Sequence, residues 1–540
     1  MQSRSIIART LPYAVLAMIC SYLLAFINIP IFYDEAAFRR SSGRALIDGF
    51  SQFMVFPDCL TPKAVGWLFI PAHALFSWLD GELGWSGVRL LPVATMLILV
   101  GAVAALLRTT APRSWTWSTL VLAGGFVGLA GTGMVLSRAE FVITLHVGLC
   151  VVTWLVARKS PSWLVVAIVL VLHLAALNLS LFVHLQSLIV VPFSILTCAA
   201  LLRRSKLVMC LVVLVMFAMS AAAIPHQSFS CPEDPALEQT VAQSQGVVLS
   251  SQLSGMTVVG QVATRLWLFV RQFPFQAQEA FSIPAPIVPQ AVATATALPI
   301  GLVVAANFLI LVAGAAAMTV VLLRHYFPLL LKWDWRQVGS VFFDGRAIWT
   351  AAALAVLAYS ASDLGGLFYR AHFRNLLTAV VLAIGVAGLV DLRLIRWSRM
   401  LSILAGVTCL GSAAVAWVFV APQLAAGYES YYVSVVRDWQ AYDQRVRDVA
   451  AQCGIGPADE HVVVDVATYQ AMRENPHSLD FNYVWYRESL EGNAKTRTET
   501  EWAEFYRKYS DTGYVVMCRT LTFAPMSVGG GDGELCCGRF

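Results

Sequence analysis

Two adjacent carboxylates, Asp34 and Glu35, follow directly on the first apolar run of the sequence. Side by side at a membrane edge, such a pair can take the proton of an attacking hydroxyl or amine as a general base. It can also contribute oxygen ligands to a divalent cation such as Mg2+, Mn2+ or Ca2+. The plainer reading is a pair of solvated residues that end a helix. Late in the chain, Arg370, His372 and Arg374 place three potential cations within five residues. That density suits a phosphate clamp, and an anionic lipid headgroup would meet the same groups. Arg138 and Glu140 open a further apolar run, where the arginine can bind a lipid phosphate or snorkel and pair with its neighbour. Lys63 and Arg89 are weaker members of the same basic set. His173, Asn178 and His184 read as hydrogen-bonded packing residues. No Cys/His spacing resembles a zinc site, and the absence of P-loop, GxGxxG and GxSxG elements argues against a nucleotide-driven engine.

The elements that must position these groups are membrane spans. Of 540 residues, 58% are hydrophobic and 13% charged, against about a quarter charged in soluble domains. With a mean hydropathy of +0.69 and repeated apolar runs of about 20 residues, the chain reads as an integral membrane protein. A soluble enzyme, a disordered chain and a nucleic-acid-binding domain are excluded, and the net charge of +5 is small. Spans are expected at 11–31, 87–107, 115–135, 140–157, 161–179, 182–202, 207–224, 296–323, 347–361, 375–390 and 400–421. The stretch 64–79, interrupted by Pro71, His73 and Trp78, reads as a helix on the membrane surface. The first run ends in Phe32-Tyr33-Asp34-Glu35 with no small-residue cleavage site, so it reads as an anchor.

Lysine and arginine set the orientation. With the N-terminus inside, the short inner loops hold 16 basic residues and three acids, Asp334, Asp344 and Asp391. Counting 64–79 as a span would destroy that asymmetry, so eleven spans with the C-terminus outside is the economical topology. The membrane domain then covers 1–421, with outer loops 32–86 and 225–295. The remainder, 422–540, carries 11 basic and 17 acidic residues, a composition that marks a soluble domain with its own core. His461–Val466 and Gly513–Cys518 are expected as strands, and 429–451 and 499–510 as helices, giving a small mixed α/β fold. Six of 11 cysteines fall on the outer side: Cys59, Cys231, Cys453, Cys518, Cys536 and Cys537. An oxidising compartment would pair them, with Cys453 and Cys518 as candidate partners of the adjacent Cys536 and Cys537. The connectivity stays open.

The order of these elements resembles a known family. Tyr33-Asp34-Glu35 closes the first span, and Gly81-Glu82-Leu83-Gly84-Trp85-Ser86-Gly87-Val88-Arg89-Leu90-Leu91-Pro92 leads into a span ending at Arg108. The second motif looks like the "G-x-s…RLPs" entry of GT-C glycosyltransferases, especially the protein mannosyltransferase and lipid A aminoarabinose transferase branch. Ser137-Arg138-Ala139-Glu140-Phe141 resembles that branch's "RPe" element, with Ala139 where Pro is common. Asn178 to Pro192, including His184, is similar to its "H…P" span. Phe373-Arg374-Asn375-Leu376-Leu377 looks like its "RYLLP" element, with Asn375 for Tyr and Thr378 for Pro. The similarity runs in order from about residue 10 to 400.

The resemblance implies a GT-C-like fold in a bacterial inner membrane. It also implies inverting transfer of a hexose or pentose from a polyprenyl-phosphate carrier to a glycan, lipid or protein acceptor of the cell envelope, on the outer face. On that reading Asp34 is the general base, supported by Glu35 or sharing a cation with it. Arg370, His372, Arg374, Arg138 and Lys63 then hold the donor phosphate. Two other classes stand beside it. A transporter or flippase of lipid-linked sugars expects charged residues deep within spans and repeated halves, and no internal repeat is visible. An O-antigen polymerase or ligase expects a late outer loop rich in Arg and His, whereas here the acidic pair lies in the first loop.

Overall fold

Backbone polar groups cannot be left unpaired in hydrocarbon, so an apolar chain crosses a membrane only as helix or closed barrel; this one uses helices. The structure is a computed structural model and describes residues 2–25, 85–110, 139–183, 185–227, 439–465, 467–469, 471–472, 475, 479–480, 498–507, 510–522 and 524–540, with a few single positions between 256 and 331. Six apolar helices come first: α1 Gln2–Ala25, α2 Trp85–Thr110, α3 Ala139–Ala157, α4 Trp163–Val183, α5 Val191–Leu201 and α6 Lys206–Gln227. Each coincides with an expected span. The spans at 115–135, 347–361, 375–390 and 400–421 lie outside the described residues, as do the surface stretch 64–79 and all of the span 296–323 except Leu323.

Leu90–Thr110, Trp163–Phe182 and Lys206–Ala223 are long and apolar enough to cross a membrane. The 20 residues of Trp163–Phe182 rise about 30 Å, the depth of the hydrocarbon core. Large apolar side chains on these helices face outward: Ile98 and Leu207 are both 73% exposed and Leu164 71%. In water such a surface would be a liability, and against lipid it is the required one. The chain is a polytopic helical membrane protein with a small α/β region at its C-terminal end.

One span departs from a single expected helix. Residues 182–202 enter as a 3-10 segment, Leu185–Val190, and continue as α5. Pro192 stands in the first turn of α5, where its missing N–H costs nothing. A continuous α-helix through 188–192 would need that N–H as a donor, so the proline dictates where α-geometry starts. The six residues of the 3-10 segment and eleven of α5 together rise about 28 Å. Ser187 ties the segment to the end of α4 by donating to the Ser180 carbonyl at 2.6 Å.

In this unit α3 packs on α4 and α5, and α6 on the same two helices. Gly148 lets α2 approach α3, because a Cβ there would collide with Leu99. The basic residues gather at one end. Lys159, just after α3, donates to Thr109 at the end of α2. Arg203 after α5 donates to Ser160 at 3.4 Å, and Arg158 lies 5.1 Å over the Trp154 ring. Arg108, Arg158, Lys159, Arg203, Arg204 and Lys206 are all exposed.

A second unit includes Ala425–Phe540. Its sheet has the order β2-β1-β3-β5-β4, from β1 Val463–Val464, β2 Leu479–Asp480, β3 Gly513–Met517, β4 Gly530–Gly531 and β5 Leu535–Arg539. β1 pairs in parallel with β2 and β3, and β5 is antiparallel to β3 and β4. Helix α7 Trp439–Gln452 packs on β3, β4 and β5, and α8 Glu499–Arg507 buries Trp502, Phe505 and Tyr506. Thr498 and Glu501 form a reciprocal cap at the start of α8: the Thr498 N–H donates to the Glu501 carboxylate at 2.6 Å and the Glu501 N–H to the Thr498 hydroxyl at 3.4 Å. Tyr506 stacks on the terminal Phe540 with centroids 5.5 Å apart.

The mixed fold agrees with the sequence reading, with two differences. Strand pairing at β1 stops at Val464 because the buried Asp465 carboxylate turns the chain, accepting from the N–H groups of Ala467 at 3.0 Å and Thr468 at 3.2 Å. Its other oxygen accepts from the Met517 N–H at 2.7 Å and the Thr520 hydroxyl at 2.8 Å. Burial raises the Asp465 carboxyl above its usual range, and these donors oppose it. Strands β2, β4 and β5, the second difference, carry no strong apolar signal. Glycines and cysteines make up most of β4 and β5, and β5 is fixed by disulfides instead. Cys537 joins Cys453 at the end of α7, and Cys536 joins Cys518 at the end of β3. Arg445 of α7 donates to Asp532 at 2.5 Å and Glu534 at 2.7 Å.

Two outcomes follow for the purified full-length chain. Alkylation under denaturing, non-reducing conditions leaves Cys453, Cys518, Cys536 and Cys537 unlabelled and labels Cys20, Cys150, Cys198 and Cys210; labelling of any of the first four contradicts the pairing. Asp465→Ala leaves the buried Met517 N–H without its acceptor, at a cost of about 1–3 kcal/mol. Hydrogen exchange read by mass spectrometry then accelerates in 463–465 and 513–517 while α3 and α4 keep wild-type protection.

Candidate functional site

Asp34, Glu35, Lys63, Arg138, Arg370, His372 and Arg374 all lie outside the described residues, as does His184. Their positions along the chain can still be stated. Asp34 follows the end of α1 at Ala25 by nine residues, and Arg138 directly precedes α3, which opens at Ala139. Arg89 and Glu140 fall in the first turns of α2 and α3.

Inside the helical unit the described structure assembles a different constellation, most of it not singled out by sequence. On α3, His146, Cys150 and Thr153 succeed one another at intervals of four and three residues and so share one face. On α4, His173, Leu177 and Ser180 repeat that spacing. Ser194 and Cys198 do so one turn apart on α5. The polar members of these three stripes meet in the bundle interior, where His146, Thr153, His173, Ser180 and Ser194 each have 0% exposure.

Every histidine nitrogen in the cluster faces a partner. The Ser180 hydroxyl donates to the Leu177 carbonyl at 3.0 Å, so its oxygen accepts from His146 Nδ1–H at 2.9 Å. That fixes the His146 tautomer and leaves Nε2 with a free lone pair, which the Ser194 hydroxyl meets at 2.5 Å. His173 Nδ1 lies 2.9 Å from Thr153 Oγ1, and its Nε2 lies 3.9 Å from Cys150 Sγ. The two imidazole rings stand edge to face, with centroids 5.5 Å apart. Among the described residues, no carboxylate, ammonium or guanidinium group is buried in this unit. The arrangement can do two things chemically: fix three helices by neutral hydrogen bonds, and present imidazole and thiol ligands to a soft metal ion.

His173 is therefore a buried, hydrogen-bonded residue, as the sequence suggested, and Asn178 is buried on the same helix. His146, Cys150, Ser180 and Ser194 were missed. The available signal was the repeated four-and-three spacing of polar residues on otherwise apolar helices. Motif rules for zinc look for short Cys/His spacings within one loop, whereas here the ligand types are separated by 23 residues between Cys150 and His173.

No family model and no curated relative matches the sequence. Among solved structures the chain is similar to ArnT from Cupriavidus metallidurans bound to undecaprenyl phosphate, at 13% identity over 99% of this chain and 98% of that one, with a TM-score of 0.35. It is similar to the same protein in the apo state at 13% identity over 99% and 97% of the two chains, with a TM-score of 0.36.

Proposed function

We propose that the chain is an inverting glycosyltransferase of a bacterial inner membrane, taking a sugar from a polyprenyl-phosphate carrier on the outer face and passing it to a cell-envelope acceptor. The observation that carries this reading is the ordered series of motifs in a polytopic chain. It runs from Tyr33-Asp34-Glu35 through Arg89-Leu90-Leu91-Pro92 and Arg138-Ala139-Glu140 to Arg374-Asn375-Leu376-Leu377. The described interior supports it against a transporter. Its buried imidazoles and the hydroxyls of Thr153, Ser180 and Ser194 are neutral and hydrogen-bonded. No carboxylate, ammonium or guanidinium group is buried there among the described residues, whereas ion-coupled transport depends on intramembrane charge.

In the proposed reaction an acceptor hydroxyl attacks the anomeric carbon while its proton passes to the Asp34 carboxylate. The bond between that carbon and the phosphate oxygen breaks, and the electron pair leaves with the polyprenyl phosphate. Arg370 and Arg374 stabilise the negative charge that grows there, in a zone where little water competes. His372, Arg138 and Lys63 complete the basic surround. Glu35 orients Asp34 or shares a divalent cation with it. An activated sugar arrives on its lipid, so no nucleotide site is required.

Eleven spans with N-terminus inside and C-terminus outside is the topology that serves this reaction. The exposed cations Arg108, Arg158, Lys159, Arg203, Arg204 and Lys206 at one end of the helical unit support an inner face there. The two disulfides of the tail support an oxidising outer compartment for the C-terminal unit, since paired cysteines persist where thiols are not kept reduced. The four cysteines described in the apolar helices are all free.

Native mass spectrometry of the gently purified protein tests the donor assignment. Wild type retains a polyprenyl phosphate or its glycosylated form, and the Arg370→Gln/Arg374→Gln variant loses it. Ordinary phospholipids alone in both samples would count against the clamp. With the donor so identified, Asp34→Asn lowers transfer in reconstituted membranes by about 10²–10⁴-fold while the donor lipid is still retained. Wild-type transfer by this variant would remove Asp34 from the role of base.

A further inference from the structure

Cys150 and the two histidines beside it take no part in the transfer reaction, and their geometry suits a metal. The ligand atoms of His146, Cys150 and His173 all lie within 4.8 Å of one another, and all three residues are buried. His146 and Cys150 are one turn apart on α3, and His173 reaches them from α4. We propose that these three side chains form a trigonal site for a monovalent copper ion, bound through both histidine Nε2 atoms and the Cys150 thiolate.

Three observations support the ligand set. The Nδ1 atoms are turned away and held, His146 by Ser180 at 2.9 Å and His173 by Thr153 at 2.9 Å. A hydrogen bond to the far ring nitrogen is the usual support of a metal-bound histidine. Because the Ser180 proton is committed to the Leu177 carbonyl, His146 Nε2 carries a lone pair, which the metal would take over from the Ser194 hydroxyl. Ser194 touches both His146 Nε2, at 2.5 Å, and Cys150 Sγ, at 3.9 Å, so it marks the side on which the ligands converge. Metal–nitrogen bonds of about 2.0 Å and metal–sulfur bonds of about 2.3 Å would draw the ligand atoms to roughly 3.5 Å apart. The His173–Cys150 pair is close to that already, at 3.9 Å.

Charge selects the ion. Imidazole and thiolate exclude the oxygen-seeking cations Mg2+, Ca2+ and Mn2+ and leave copper or zinc. No carboxylate is buried in the unit among the described residues. A divalent ion with one thiolate would therefore leave a net positive charge in a medium where an uncompensated charge costs several kcal/mol. Monovalent copper with one thiolate is neutral, and it accepts three ligands. Binding releases the Cys150 proton to solvent, so affinity falls as pH falls. The ion would cross-link α3 and α4.

The test uses the full-length chain in detergent and reads no enzymatic activity, so it can fail independently of the transferase reading. Loaded anaerobically with Cu+ against a competing chelator and desalted, wild type retains about one copper per chain, with a mixed nitrogen and sulfur shell in X-ray absorption. Cys150→Ser and His173→Gln lose that copper, and monodisperse elution shows whether each is folded. Thr153→Val keeps all three ligands and frees His173 Nδ1, so it weakens retention by about 10–100-fold with the same shell. Copper that survives in both folded ligand variants, no retention by wild type, or preferential uptake of Zn2+ when both ions are offered would each overturn the assignment.

Discussion

Hydrocarbon forbids unpaired polar groups, and much of the described helical unit follows from that prohibition. It enforces helices over the apolar runs. It also explains how a chain can bury two histidines, several hydroxyls and a thiol in the same bundle. Ser180 accepts a hydrogen bond from His146 Nδ1–H and donates its own to the Leu177 carbonyl. Ser187 donates to the Ser180 carbonyl near the end of α4. Thr197 returns its hydroxyl to the Phe193 carbonyl at 2.7 Å. Each donor is spent locally, so polarity adds specificity between helices without charge. On α3, Gly148 admits the approach of α2 and Thr153 meets His173 of α4. Close contact and hydrogen bonding replace the hydrophobic effect, which drives little association between helices already in lipid.

The C-terminal unit meets the opposite problem. About 120 residues in water must find a core, yet β4 and β5 contribute mainly glycine and cysteine. Covalent and polar ties take over. A chain-entropy estimate gives about 3 kcal/mol for the disulfide spanning 18 residues and about 4–5 kcal/mol for that spanning 84. The adjacent Cys536 and Cys537 point to opposite faces of β5, as strand geometry requires. They can therefore reach β3's end and α7's end at once. Arg539 reinforces the second attachment by donating to the Cys453 carbonyl at 2.9 Å.

Sequence reading succeeded where one periodic property decides the outcome. Length and apolarity located α2, α3, α4 and α6 to within a few residues, while α1 starts nine residues earlier than expected and α5 follows the 3-10 entry forced by Pro192. Short runs of consecutive apolar residues marked β1 and β3, and the helix expected at 499–510 contains α8. Strands β2, β4 and β5 were illegible because their pairing depends on partners far along the chain. Gly530 is opposite Cys537, and Leu479 opposite Val463. The disulfide candidates were limited to the right four cysteines, and only the register of β5 decides which neighbour faces α7. The polar cluster was harder still. A lone histidine on an apolar helix is usually a satisfied packing residue, and His173 is one by every local measure. What makes it part of a constellation is the meeting of three helices, which no single-helix pattern contains.

The helical unit has two chemically distinct ends. The basic residues collect where α2, α3 and α5 end, and the polar cluster begins two turns from the opposite end of α3, at His146. His146 lies about seven residues from the start of α3, Cys150 about seven from its end, and His173 at the middle of α4, so the cluster sits near the mid-depth of these helices. The tail's disulfides belong to the oxidising side by a separate argument. Thiols of two kinds then follow from position alone. Those of the C-terminal unit are oxidised in pairs, while Cys150 and Cys198, sealed among apolar side chains, remain free. Burial, which separates these thiols from solvent oxidants, is what allows a soft ligand to persist there.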